Sequence, residues 1–391
     1  MNIPEYKTVA GLRSRNGSIS KNDIRFCVKN TTADECREYA LQLEKLGFAK
    51  HTEKEISTGK DSGIVNLCYI YYNDEMCIFI FWNEPLQTLF VTAEPKQPLP
   101  EKCEEKSKLE GEAFISQQHI GGGMSYVVKL CDGSFVCVDG GAYKDEDMEQ
   151  LLKFLKEHSD GAKPRIATWF FTHSHYDHIR LATHFIKNYA DEVELEAVAY
   201  QFCDCDKVCA EIEDMAKMKE DIEAFENAIE TSYPNATVYT LHTGESYYFA
   251  GVEVEILRSL DDTYLYNYFS FNDMSAALRF NFANGKTAML LGDNMRYGCL
   301  ELAQTYGEYL KSDIMQVAHH GLIGGEKSLY QLIDPDICFW PVNEAVFSGH
   351  YGGIYQYCLG EGGCDFNAYI RDDSIKKRTH YHAGKTVTIT L

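Results

Sequence analysis

The stretch "FFTHSHYDHI" (170–179) places three histidines and an aspartate within six consecutive positions, in a chain that has 13 histidines among 391 residues. It grows out of the apolar run "IATWFF" (166–171), which has the length and composition of a buried strand. His173 and His175 lie two apart just beyond that strand, so alternation turns both side chains one way and Ser174 the other. Asp177 and His178 follow at the turn into the helical run "IRLATHFIKNYA" (179–190). One loop therefore offers two imidazoles to one ion and a carboxylate with an imidazole to a second. Imidazole together with carboxylate suits zinc, with manganese or iron as alternatives.

Outward from this loop, "MSYVVKL" (124–130) and "SFVCVDGGAY" (134–143) form two strands about a turn at Cys131-Asp132-Gly133, and "DEDMEQLLKFLKEH" (145–158) is helical. Strands followed by helices predict a layered α/β domain over 113–391. Residues 1–94 predict a small α+β module. It has a strand at 22–31 and a helix over 31–48 with Thr32 as N-cap, Glu35 completing a capping box and Gly47 as the stop. A hairpin of "NLCYIYY" and "MCIFIFW" about Asn73-Asp74-Glu75 follows, then a strand "TLFVTAE" (88–94). "PKQPLPEKCEEKSKLEGE" (95–112), rich in proline and charge, predicts a linker.

Against 37 Lys plus Arg stand 59 Asp plus Glu, a formal charge of −22. Such a chain repels polyanions unless basic residues are locally concentrated, and no basic run exceeds "IKKR" (375–378), which argues against an extended nucleic-acid duplex as a partner. A small molecule or a chain end is the expected substrate. The longest apolar runs, such as "CIFIFW" (77–82), are of strand length, which predicts no membrane span. "MNIPEYKTVAGL" lacks the features of a leader, and the 14 scattered cysteines then point to a reducing, cytoplasmic setting.

The pattern H-x-H-x-D-H after an apolar strand resembles the signature of the metallo-β-lactamase fold hydrolases, and further landmarks of that family occur in order over roughly 115–391. "FVCVDGG" resembles its early strand, which implies Asp139 as a residue shaping the loop beside the metals. "NDMSAALRFNFANGKTAMLLGDN" (272–294) resembles the strand pair ending in Gly-Asp, which implies Asp293 as the bridging carboxylate. "SDIMQVAHHGLIGG" (312–325) and "THYHAGKTVTITL" (379–391) resemble the His-His-Gly motif and closing hairpin of the ComEC-like subgroup. The resemblance implies an αββα sandwich, here preceded by the small α+β module, and two divalent cations. Their ligands would come from His173, His175, Asp177, His178, Asp293 and His319. Since consecutive strand residues face opposite ways, one of His319 and His320 is expected to point at the metals. His319 is taken as the ligand and His320, with Asp177, as the catalytic contact.

The chain departs from the family pattern in two places. "IRL" stands where relatives often have Gly-Gly after the last histidine of the loop, which predicts altered helix packing. The further ligand that many relatives carry has no obvious counterpart. His350 is the expected candidate, with His242 and His382 as alternatives, while His184 is expected to pack on its helix. "CDCDKVC" (203–209) predicts ordinary thiols, the acidic helical run 210–230 a wall or lid, and "GGG" (121–123) a turn. Together these features predict a hydrolase using metal-activated water, with a phosphodiester favoured. A lactone, thioester or amide substrate, or iron-based redox chemistry on the same fold, are the alternatives. The N-terminal module is left as a candidate for partner binding or self-association.

Overall fold

The computed structural model of the chain describes residues 23–59, 63–207, 215–262, 270–348 and 367–391. Its first strand, β1 (Ile24–Lys29), leads into α1 (Ala33–Lys45). The Thr32 hydroxyl accepts from the Glu35 N–H at 3.2 Å while the Glu35 carboxylate accepts from the Thr32 N–H at 2.8 Å, so the capping box starts the helix. Four strands follow: β2 (Ala49–Ser57), β3 (Val65–Tyr72), β4 (Met76–Asn83) and β5 (Thr88–Pro95). The β3–β4 turn is fixed by Asn73, whose side-chain oxygen accepts from the Glu75 and Met76 amides. These strands form an antiparallel sheet in the order β1-β5-β4-β3-β2, and α1 covers one of its faces through Cys36, Tyr39, Ala40 and Leu43. The segment 95–112, expected as a linker, holds one helical turn, α2 (Glu104–Ser107), which is tied down where the Gly251 N–H donates to the Lys106 carbonyl.

The rest of the chain begins with β6 (Phe114–Gln117), β7 (Tyr126–Lys129), β8 (Phe135–Val138), α3 (Asp145–Glu157), β9 (Arg165–Phe170) and α4 (Tyr176–Asn188). It continues with β10 (Glu194–Leu195), β11 (Ala197–Tyr200), α5 (Met215–Ser232), β12 (Thr237–Thr240), β13 (Ser246–Phe249), β14 (Val252–Arg258), β15 (Ala277–Phe282) and β16 (Thr287–Leu290). α6 (Arg296–Tyr306), β17 (Ile314–Gln316), α7 (Lys327–Ile333), β18 (Ile337–Trp340), β19 (Thr379–His382) and β20 (Val387–Thr390) complete it. Two sheets result, in the orders β12-β11-β9-β8-β7-β6-β20 and β13-β14-β15-β16-β17-β18-β19, with β10 beside β9. Each is half parallel and half antiparallel, the parallel halves being β12-β11-β9-β8 and β16-β17-β18-β19.

Period-2 alternation packs the two sheets face to face. Val128, Val136, Val138 and Phe170 of the first meet Val254, Ile256, Leu278, Phe280 and Leu290 of the second. The intervening residues Val127, Phe135, Trp169 and Phe171 turn outward against α3, α4 and α5. On the far side Met289, Leu291, Met315 and Trp340 pack under α6 and α7. The molecule is thus an αββα sandwich carrying an α+β module. That module's second face, through Ile56, Cys68, Phe81 and Phe90, joins the same core as α6 and α7.

The consequence for function lies at one edge. β8 and β9 of one sheet, and β16 and β17 of the other, run out into Asp139, the 173–178 loop, Asp293 and His319-His320. Open mixed sheets gather ligands beyond the carboxyl ends of parallel strands, and here two such ends face each other.

Just before β1, the Asp23 carboxyl is pushed up to about 6 by burial and by the nearby charges of Asp261 and Glu94, and its Oδ1 has no hydrogen-bond partner among the described residues. An acid with a raised folded pKa stabilises the fold fully below its unfolded value of 3.8 and loses that contribution as pH rises through about 6. Asp23→Asn should therefore raise Tm at pH 7.5 and remove part of the fall in Tm between pH 4 and about 6, as followed by thermal melts across that range.

Candidate metal centre

The ligand-type side chains gather into two groups, His173, His175 and Asp293, and Asp177, His178 and His320. Within each group one donor atom per residue lies within 4.8 Å of the others. Between the groups stands one atom, Asp293 Oδ2. It is 3.3 Å from His178 Nε2, 3.2 Å from His320 Nε2, and 3.9 Å from both His173 Nε2 and His319 Nε2. In the first group His173 Nε2 faces His175 Nδ1 at 2.9 Å, and in the second Asp177 Oδ2 is 3.5 Å from His320 Nε2.

Outer partners fix the orientation of the inner rings. Asp139, buried at the end of β8, accepts from the Thr172 N–H, the Thr172 hydroxyl and His178 Nδ1, each at 2.8 Å. Committing Nδ1 to Asp139 turns His178 Nε2 inward. His320 Nδ1 is 3.1 Å from the Pro341 carbonyl, which can only accept, so that ring also presents Nε2 to the centre. Asp293 is placed by its own N–H donating to Ser275 Oγ at 3.0 Å. It does not cap α6: Asp273 Oδ1 does so instead, accepting from Met295 N–H at 2.8 Å and Gly298 N–H at 3.0 Å.

Part of the inner set is left over. His178 Nε2 and His320 Nε2, the atoms that face Asp293, are buried without a hydrogen bond among the described residues, and so is the second carboxylate oxygen, Asp293 Oδ1. Buried polar atoms are otherwise almost always satisfied. Two ring nitrogens and a carboxylate oxygen orphaned together fit cations that they would hold.

Electrostatics agree with this fit. Burial opposes charge on Asp293, yet the facing His320 and His178 hold its carboxyl well below the usual range. Asp177 is likewise held low against its burial by its close contact with His320 and by the charge of His178. His320 overcomes burial and is pushed up to about 10 by Asp293 and by its contact with Asp177, and Asp293 and Asp139 raise His178 in the same way. Burial and the neighbouring His178 and His175 hold His173 well below the ordinary imidazole range. Without a metal the two carboxylates are thus balanced by protons on His178 and His320; cations held by the neutral rings would take the place of those protons.

The His319-His320 pair departs from expectation. β17 stops at Gln316, and both histidines take left-handed backbone conformations, with φ of 48° and 57°. Strand alternation therefore does not apply, and both rings turn toward Asp293. His320, expected as the catalytic contact, is the one gathered with Asp177 and His178. His319, expected as a ligand, stands beside the two groups with its side chain 19% exposed and its Nε2 3.4 Å from Asn272 Nδ2.

The other candidates lie elsewhere. His350 is outside the described residues. His242 is buried against Asp261 and Glu94, and His184 stacks on Tyr143 with ring centroids 3.7 Å apart. His382 Nδ1 accepts locally from the Gly384 N–H. The helix packing that "IRL" put in question is managed by Gly140, where a Cβ would fall 2.6 Å from that of Ala182 on α4. In the "GGG" turn, Gly123 has φ of 85° and a Cβ there would overlap the Asp177 carbonyl, so this glycine lets the turn press on the metal loop. The turn at 121–123 is legible in the sequence, but the contact of Gly123 with the Asp177 carbonyl is not, and nothing in sequence marks Asn272.

No protein-family model and no curated protein sequence matches the chain. Among solved structures it is similar to CmlA, a diiron β-hydroxylase from Streptomyces venezuelae, at 12% identity and a TM-score of 0.40, over 76% of this chain and 55% of that one. It is also similar to zinc-bound PqqB from Methylobacterium extorquens, at 9% identity and a TM-score of 0.37, over 72% of this chain and 100% of that one. A third is Rm3 metallo-β-lactamase, at 12% identity and a TM-score of 0.32, over 56% of this chain and 82% of that one. The chain spans little more than half the length of CmlA.

Asp139→Asn keeps the shape of the side chain and removes the charge that orients His178. It should weaken binding of a cation at the group of Asp177, His178 and His320 by roughly 10- to 100-fold, the usual effect of losing such an outer partner, and lower the Tm of the metal-free protein by the loss of a buried acceptor, since the amide nitrogen cannot accept. Zinc titration by calorimetry and a thermal melt of the metal-free variant check the two effects.

Proposed function

We propose that the protein is a metal-dependent hydrolase with a dinuclear centre, zinc favoured, that cleaves a small phosphodiester or one at a chain end. The observation that carries this reading is the position of Asp293 Oδ2, within 3.2–3.9 Å of ring nitrogens from both ligand groups. His173, His175 and Asp293 would hold one cation, and Asp177, His178 and His320 the other, with Asp293 shared. Cations held in this way polarise the scissile ester and make water acidic enough to attack near neutral pH.

The chain's own contributions follow from the geometry. Asp139 and the Pro341 carbonyl keep His178 and His320 aimed inward. His319, outside both groups and partly exposed, takes the substrate-facing role first expected of His320. Phosphodiester chemistry is supported by the His-His-Gly motif that follows β17, on which the resemblance to the ComEC-like subgroup rests. The net charge of −22 favours a small substrate over a long polyanion. Among the described residues no helix is long and apolar enough to cross a membrane, and the described cysteines are free thiols, which suits a reducing, cytoplasmic setting.

The test is release of nitrophenol from bis(p-nitrophenyl) phosphate by zinc-loaded protein. Asp177→Ala should reduce the rate to background while the variant retains its fold by circular dichroism. Loaded protein inactive on every phosphodiester offered, or iron with oxygen uptake in protein isolated without added metal, would contradict the assignment.

A further inference from the structure

One wall of the centre is the chain between β14 and β15, of which 259–262 and 270–276 are described. It places Asn272 Nδ2 3.4 Å from His319 Nε2 and the ring of Phe271 6.1 Å from that of His175. Leu260, Phe271 and Met274 pack into one small core with Met218 and Ile222 of α5, so 259–262 and 270–276 share one packing unit. On the side of the centre it is anchored by Asp273 at the start of α6 and by Ser275 at Asp293.

Its other anchor is the N-terminal sheet. Arg25 of β1 donates to the Leu260 carbonyl at 2.9 Å. Beside it lies His242, fully buried, with Nδ1 2.8 Å from Asp261 Oδ2 and Nε2 3.4 Å from Glu94 Oε2 of β5. The imidazole stacks on Phe79 of β4 at 3.5 Å and 16°, and Gln97 approaches Nε2 at 3.2 Å. Asp23 and Arg25 from the β1 side, Cys77 from β4 and Glu245 from the same turn complete the charged and titratable surroundings. Gln201 donates to the other oxygen of Asp261. Against burial, the contacts with Asp261 and Glu94 raise His242 well above the ordinary imidazole range. Removing one member of a buried ionic cluster leaves the others uncompensated, which makes such a contact a firm joint.

We infer that His242 is a positioning residue: by joining Glu94 of the N-terminal sheet to Asp261, it sets the wall that presents Asn272 and Phe271 to the substrate. The N-terminal module is then a structural part of the site, and the face it would have offered a partner is occupied by the catalytic body. The substrate half of this inference rests on the hydrolase reading above; the wall's dependence on His242 does not.

The experiment uses the full chain loaded with zinc, in the variants His242→Gln and Glu94→Gln. Three quantities are read: zinc bound per chain, KM and kcat on bis(p-nitrophenyl) phosphate, and hydrogen exchange of peptides covering 270–276. Zinc content should stay at the wild-type value, KM should rise about fivefold with kcat within about twofold, and exchange at 270–276 should quicken, since a coupling carried through packed neighbours is of this size. Glu94→Gln, which keeps His242 and Asp261, decides the matter if His242→Gln fails to fold. Lys50→Ala, in an exposed pair with Glu53, serves as the control that leaves all three unchanged. Unaltered exchange at 270–276, or zinc lost in step with the change in KM, would overturn the inference. If the wild type turns over no phosphodiester, exchange and zinc content still decide the role of His242, and the failure belongs to the reaction assignment.

Discussion

The structure depends on one buried carboxylate oxygen. Asp293 Oδ2 stands within 4 Å of four imidazoles, His173, His178, His319 and His320, drawn from both sheets of the sandwich. An ionised carboxylate with so little access to water costs several kcal/mol unless positive charge surrounds it. The rest of the edge serves that requirement. β9 delivers the 173–178 loop, β16 delivers Asp293, β17 delivers the histidine pair, and β8 ends in Asp139, whose carboxylate orients Thr172 and His178. Two parallel halves ending at the same edge bring residues more than a hundred positions apart into one shell.

Much of the architecture is legible in sequence because it rests on local rules. Thr32 with Glu35, the Asn73 turn and the buried run 166–171 each name their element without reference to the rest of the chain. The separation of the 173–178 loop into two pairs matches local order, since His173 and His175 precede the helix that begins at Tyr176 while Asp177 and His178 lie in its first turn. What alternation cannot supply is the behaviour of His319 and His320. Their left-handed conformations depend on tertiary contacts, such as the His319 N–H donating to the Gly292 carbonyl and Gly321 lying against Trp340. Extending the strand by one residue does not foresee that both rings turn toward Asp293, nor that His320 is the one gathered with Asp177 and His178. Asn272 and the role of Asp273 at α6 were hidden for a similar reason: both act across the fold, on residues that no periodicity connects to them.

The N-terminal module shows how a domain boundary in sequence can mislead about use. The proline-rich and charged stretch 95–112 looks like a tether between independent units. In the fold, Gly251 pins α2, and the sheet places one face under α1 and the other in the core with α6 and α7. Polar contacts cross this junction: Asn66 to the Thr305 carbonyl and Asn83 to the Thr305 hydroxyl, both buried, and Lys54 to Glu255, partly buried. Contacts of this kind hold orientation, because sliding by one residue leaves each of them unpaired.

The central claim, two cations sharing Asp293, is most directly tested by anomalous diffraction at the zinc edge from crystals of zinc-loaded protein. Two peaks about 3.5–4 Å apart, on either side of Asp293 and each contacting one of the ligand groups, are predicted. A single peak, or two peaks of which neither touches Asp293, would contradict it.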